Sequence, residues 1–476
     1  MAAEIGASRR ELLRTASAGF GYLALAGLVA RAADEANTAG DPAVPASTQP
    51  LAPKASHFPP RAKRVIFLCM QGGPSHVDTF DYKPQLIADA GKSLGAGRRT
   101  LMAPVSGFQQ RGDSGLWISD LFPALSEHAD RLCLLRSMHC DQPTHPRAVT
   151  QMHTGNAQFV RPSLGAWTLY GLGTENDSLP GFVALNAPPA SAQNYGSAFL
   201  PAVYAGSRVG PSVQRGPLQG RMAGNTAPLP DIRNPRLSRT EQRRQLDFIQ
   251  ELNRQKLARE QVQPGVEGVI ESYELAFRMQ SSVPELMDLS KEPDTTFESY
   301  GAKKGQPSFA ANCIIARRLA ERGARFIQLN HRDWDHHGGL PGALPKLCKE
   351  TDQPAAALVS DLKRRGLLDD TLVVWGGEFG RTNYCQGKIS TNFGRDHHPR
   401  CFSVWLAGGG VKAGTTYGET CEFGYNIARD GVSVHDLQTT LLHQLGIDHE
   451  RLTYKFQGRW FRLTDVHGNV VRPLLS

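Results

Sequence analysis

Five apolar runs constrain this chain more than any other feature. Arg64-Val65-Ile66-Phe67-Leu68-Cys69-Met70 has no polar residue after its first position and gives way to Gly72-Gly73-Pro74. A strand without polar alternation must be buried on both faces, the condition of a strand inside a parallel sheet. Runs of the same kind recur at Arg131–Leu135, Ala324–Leu329, Thr371–Trp375 and Cys401–Leu406. Amphipathic helical patterns lie between several of them, over Ser308–Arg322 before the strand at Phe326 and Pro354–Arg365 before the strand at Leu372. This alternation predicts an α/β fold with a mainly parallel central sheet and helices on both faces. Such a fold needs a large core, which 476 residues that are 40% hydrophobic can supply.

The first 32 residues read differently. Arg9 and Arg10 precede the short apolar run Ala18–Val29, and Ala30-Arg31-Ala32 offers a small-x-small cleavage site. That pattern predicts a twin-arginine signal peptide over residues 1–32, with export to the periplasm or cell exterior. The run is short for a membrane span, so no transmembrane anchor is expected after cleavage. Residues 33–58, rich in Ala, Pro and Thr, read as a flexible leader to a body over 59–476. Within that body, composition shifts over about 186–305. Pro, Gly and Ser clusters come first, then a polar helix opened by the capping box Ser238-Arg239-Thr240-Glu241. This segment reads as an insertion on the core. Eight cysteines occur without any C-x-x-C, which argues against a structural zinc knuckle, and Cys69 reads as a small core residue. The 53 basic residues exceed the 45 acidic ones by 8 but are dispersed, with no aromatic-interleaved stripe, so nucleic acid is not an expected partner.

In parallel sheets, functional groups gather beyond the carboxyl ends of the strands. The first run is followed by Ser75-His76-Val77-Asp78-Thr79-Phe80-Asp81, and the run ending at Leu329 by Asn330-His331-Arg332 and Asp333-Trp334-Asp335-His336-His337. Gly376-Gly377-Glu378-Phe379-Gly380-Arg381 follows a third run, and Gly394-Arg395-Asp396-His397-His398-Pro399 precedes a fourth. Four segments thus bring carboxylates and imidazoles to one edge, where burial without a cation is costly. Oxygen and imidazole donors without thiolate suit a divalent ion such as zinc, manganese, iron or calcium. Asp333 and His337, four apart, share a face if the segment is helical, and a loop of the same reach serves equally.

These segments, together with the leader and the tail Val434-His435-Asp436-Leu437 to Leu452-Thr453-Tyr454 and Arg462-Leu463-Thr464-Asp465, resemble a large "domain of unknown function" family. Its members are exported and commonly labelled sulfatase-like. That family is similar in turn to the alkaline phosphatase and sulfatase superfamily, which implies an alkaline phosphatase-like sandwich. The resemblance implies that one metal is held by Asp333, His337 and either His397 or His398. A second metal position maps to Asp78 and Glu378, with Phe379 standing where a histidine ligand belongs, and His76 and Asp81 are nearby substitutes. Thr144 and His145 fall at the nucleophile position beside Pro146-Arg147-Ala148, although no C-x-P-x-R or S-x-P-x-R signature is present. His145 could attack or bind metal.

The expected function is therefore an exported metal-dependent hydrolase of phosphate or sulfate esters, acting on a small-molecule or glycan substrate. Arg147, Arg381 and Arg395 are candidate anion clamps, since a guanidinium matches tetrahedral oxyanions in bidentate fashion. Asp335 and His336 are expected to face the substrate or support the ligands. The opposing expectation is a non-catalytic protein that holds a metal or an anionic glycan on a degenerate sulfatase-like fold.

Overall fold

The computed structural model describes residues 50–94, 99–210, 236–260, 264–387 and 389–476. The expected signal peptide over 1–32 lies outside the described residues. A nine-stranded sheet forms the centre. Its strands are β1 (Arg64–Met70), β2 (Leu132–His139), β3 (Phe182–Leu185), β4 (Ser207–Val209), β5 (Phe326–His331), β6 (Thr371–Gly376), β9 (Phe402–Ala407), β10 (Thr415–Tyr417) and β11 (Val432–Ser433). A separate two-residue pair, β7 (Gly380–Arg381) and β8 (His397–His398), stands off its edge. The order across the sheet is β10-β2-β9-β6-β1-β5-β3-β4, with β11 also beside β2. Only β9 runs antiparallel to its neighbours. Every residue of β1, β5, β6 and β9 is buried. Both faces of the sheet are therefore covered, as the unbroken apolar runs required. Trp375 and Trp405 are paired across β6 and β9 with their rings stacked, and Trp334 meets Trp375 edge-on.

Several boundaries differ from those read in the sequence. The helix expected from Pro354 begins at Leu340 and runs to Arg364, with Pro345 and Pro354 inside it. An interior proline costs about 3 kcal/mol. The face of Leu340, Leu344, Leu347, Leu358, Val359 and Leu362 is buried, and each such side chain contributes roughly 1.5–3 kcal/mol. Burial wins. Residues 51–58, expected as the end of a flexible leader, are bound: Lys54 N–H donates to Leu172 O, its ammonium to Tyr170 O, and His57 N–H to Gly446 O. The segment expected as an insertion starts by extending the sheet through β4. Its capping box is present, with Glu241 N–H donating to Ser238 Oγ and Ser238 N–H to Glu241 Oε2. All eight cysteines are free thiols and seven are buried, Cys69 in the core among them.

Candidate metal centre

Strand direction decides what meets at the sheet edge. The chain leaves β1 at Gln71 and passes into the short helix α1 (His76–Thr79), and it leaves β5 at Arg332 and β6 at Gly377 on the same side. It leaves β2 there as well and enters helix α2 (His145–Thr154), while antiparallel β9 is approached through β8. His145 opens α2, Asp335 and His337 lie in the loop after β5, and His397 lies in β8. One ligand atom from each of these four residues falls within 4.8 Å of every other.

Asp335 Oδ1 is the hub. It lies 2.9 Å from His337 Nε2, 3.1 Å from His145 Nε2 and 3.4 Å from His397 Nε2, while the Nε2 atoms of His337 and His397 are 3.0 Å apart. Tetrahedral donors around a zinc ion at its usual bond lengths are separated by about 3.3 Å. Each ring's other nitrogen is spoken for. His145 Nδ1 donates to Glu378 Oε1 at 2.5 Å, His397 Nδ1 to Pro143 O at 2.9 Å, and His337 Nδ1 to Gln386 Oε1. Those bonds fix the tautomers and turn three Nε2 lone pairs toward one point. Lone pairs 3.0 Å apart repel unless a proton or a cation lies between them. Carboxylate, carbonyl and amide partners on the far nitrogens are also the usual outer shell of metal-bound histidines.

The carboxylates favour positive charge at this point, supplied either by a proton or by a cation that replaces it. Burial opposes the charged form of His145, but its hydrogen bonds to Asp335 and Glu378 outweigh burial and hold it at about 9. Burial likewise opposes ionisation of Asp335, yet His145, His397 and Arg381 together keep its carboxyl far below the usual carboxylate range. Arg381 is 1% exposed and donates to Asp335 Oδ1 at 2.6 Å, to Gly73 O at 3.0 Å and to Gly72 O. Phe379 packs against the rings of His145 and His397.

The family model described as "Protein of unknown function (DUF1501)" matches residues 62–475. The chain belongs to this family. No curated protein matches it in sequence. Among solved structures it is similar to the PsFucS1 sulfatase of Pseudoalteromonas sp., at 15% identity and a TM-score of 0.34 over 82% of this chain and 69% of that one. It is also similar to the phosphonate monoester hydrolase SpPMH of Silicibacter pomeroyi, at 11% identity and 0.30 over 87% and 76%. A third likeness is to an alkaline phosphatase superfamily protein of Vibrio parahaemolyticus, at 10% identity and 0.33 over 88% and 74%.

Other residues singled out in this DUF1501 sequence are placed elsewhere. Asp333, expected to pair with His337, is exposed at φ 76° and outside the cluster; Asp335 takes the central place instead. Asp78 is fully buried against Arg395, which reaches its two oxygens at 2.8 and 3.3 Å. Arg395 also donates to the carbonyls of Met102, Ala103 and Thr382 and is fully buried, so it is not presented as an anion clamp. Arg381 is likewise enclosed and grips Asp335. Glu378 accepts from His145 and from Gly72 N–H and stands one layer behind the ligands. His76 and His398 donate to the carbonyls of Gly424 and Tyr425, and burial depresses both, His398 to about 4. Asp81 is buried beside Lys83. His336 is buried and is not among the four clustered donors. Thr144 and Arg147 are exposed, and the Thr144 hydroxyl does not cap α2. Gln386 and the Pro143 carbonyl were not singled out, since neither type signals a site by itself. A cavity of about 730 Å³ is lined by Pro123, Lys349 and Arg364 and by none of the cluster residues.

Proposed function

We propose that this chain is an exported metal-dependent hydrolase of phosphate or sulfate esters, built on an alkaline phosphatase-like sheet. The supporting observation is the convergence of three Nδ1-anchored imidazoles on Asp335 Oδ1. Three nitrogens and one oxygen favour zinc or a similar transition ion over calcium, which takes oxygen ligands. When bound, such an ion supplies Lewis acidity at the ester oxygens. Glu378 holds the His145 ring, Arg381 holds Asp335, and the exposed Arg147 guanidinium is placed on the first turn of α2 to bind the non-reacting oxyanion. The α2 N-terminus adds unsatisfied backbone N–H groups to the same task. Thr144, whose hydroxyl makes no capping bond, is the nearest side-chain nucleophile in sequence to the cluster. Export rests on the leader of residues 1–32.

Elemental analysis of the exported protein tests the reading. About one equivalent of divalent ion is expected in the wild type and in Asp333→Ala, and none in Asp335→Ala or His337→Ala. The loaded wild type should then hydrolyse aryl phosphate or aryl sulfate. Metal-free wild type would sink the reading, and metal without turnover of either ester would leave a binding protein. Loss of export in Arg9→Lys/Arg10→Lys checks the route.

A further inference from the structure

Asp335 is held in place through its neighbour. Trp334 is buried, its ring stands edge-on to Trp375 of β6, and its backbone N–H donates to Gln71 O at 3.2 Å. Gly72 closes against the same peptide, since a Cβ there would lie 2.6 Å from Asp335 N and 2.8 Å from Trp334 N. The Trp334–Asp335 peptide is thus clamped between the end of β1 and the buried indole. The indole has one polar atom to satisfy, and Nε1–H donates to His331 Nδ1 at 3.0 Å.

That bond fixes where the His331 proton sits. An indole nitrogen donates and never accepts, so Nδ1 presents its lone pair. The ring proton then lies on Nε2, 3.3 Å from Glu350 Oε2 on the helix Leu340–Arg364. Phe309 of the helix Phe309–Glu321 packs edge-on against the same imidazole, with ring centres 5.1 Å apart. His331 is itself buried and is not one of the four clustered donors.

We propose that His331 is a positioning residue of the metal centre, setting through Trp334 where Asp335 Oδ1 stands. The inference rests on the metal reading above and adds to it a residue outside the ligand set. A buried indole N–H without an acceptor is costly, and the loop escapes that cost by turning the indole toward water. Such a turn carries Asp335 with it, because Asp335 is the next residue and the apex of the tight turn closed by His336 N–H to Trp334 O. A ligand set holds its ion only while each donor stays within about 0.5 Å of its place. A role confined to packing predicts a different outcome. An apolar side chain of similar bulk would then serve as well as imidazole, and the ion would not register the change.

The test uses the full chain with cobalt(II) as probe, read by its visible d–d absorption and by competition with a chromophoric chelator. His331→Leu removes the acceptor and keeps most of the bulk. His331→Asn restores an acceptor, since its side-chain oxygen falls near the place of Nδ1. His331→Leu should bind cobalt about ten-fold more weakly or worse, with altered d–d bands, while His331→Asn stays within about three-fold of wild type and keeps the wild-type bands. In a Trp334→Phe background, where no indole N–H needs an acceptor, His331→Leu should change affinity by less than about two-fold. Wild-type affinity and bands in His331→Leu overturn the proposal. So does an equal loss in His331→Asn, which decides the matter alone should His331→Leu not fold, and so does an equal loss in the Trp334→Phe background. Any of these with cobalt bound to wild type overturns this inference only, whereas a wild type that binds no cobalt overturns the metal reading and this inference with it.

Discussion

Replacing Arg395 with methionine separates a structural cation from a substrate clamp. Arg395 and Asp78 are both fully buried, and the guanidinium also satisfies three backbone carbonyls. Removing one partner of such a pair leaves a buried carboxylate without its countercharge, which costs ~3–5 kcal/mol. Asp78 would keep its bonds from Val105 N–H and the Ser75 hydroxyl, which soften the loss without neutralising the charge. The expected shift in unfolding free energy is therefore in that range, read from urea titration of the buried tryptophans' fluorescence. The double variant Asp78→Asn/Arg395→Met removes both charges and should cost less than the two single changes summed, by ~2 kcal/mol or more. Arg147→Ala is the counterpart: exposed and without an ion pair among the described residues, it should change stability by less than ~0.5 kcal/mol while raising KM for an anionic ester. If Arg395→Met stayed within ~1 kcal/mol of wild type and raised KM ten-fold, Arg395 would be contacting substrate and its assignment to the fold would be wrong.

Three further outcomes are expected. Glu378→Gln should weaken metal affinity by roughly 10–100-fold in competition with a chromophoric chelator, because the amide no longer offers His145 a charged anchor, and unchanged affinity would show that the anchor does not matter. Gly394→Ala should lower metal content, since a methyl there collides with the backbone of His337 and Gly338 and pushes the His397 segment off the His337 segment; full metal content would mean the strands can part. Burial lowers His153 to about 4, against about 6.5 unfolded, so the unfolded chain binds the proton first as pH falls. Its stabilisation is complete above pH 6.5 and drains away toward pH 4, by ~2 kcal/mol at pH 5, and His153→Leu should flatten stability over that interval in urea titrations at stepped pH.

The sheet was legible because burial on two faces writes an unmistakable pattern. Arg64–Met70 and Thr371–Trp375 have only one way to hide so many apolar side chains. Short strands at the margins left no such mark: Thr415–Tyr417 and Val432–Ser433 borrow their order from β2, and their residues would suit a loop equally well. Helix boundaries failed where tertiary burial overrides proline, at Pro345 and Pro354. That the loop after β5 and the segment before β9 meet at one edge followed from the fold class; that His145 joins them, and His76 and Asp78 do not, did not follow. Which side chain in each segment faces inward did not, because that depends on hydrogen bonds made across the gap. Arg395 and Asp78 illustrate this, being two charged residues 317 positions apart whose mutual burial nothing local announces.

The loop after β5 shows the difficulty most sharply. A helical spacing would put Asp333 and His337 on one face, and the segment is not helical. Trp334 decides its course: the indole is 1% exposed, donates from Nε1 to His331 Nδ1 at 3.0 Å, and its backbone N–H bonds Gln71 O at the end of β1. Trp334 and His336 are buried while Asp335 and His337 are exposed, and the His336 N–H bonds Trp334 O in a tight turn with Asp335 at its apex. Asp333 drops out of that alternation because its positive φ turns the chain just before the tryptophan. The two candidate ligands are therefore spaced i, i+2. An apolar anchor between two carboxylates was the signal available in Asp-Trp-Asp-His-His, since burying Trp334 leaves Asp333 and Asp335 on the outside.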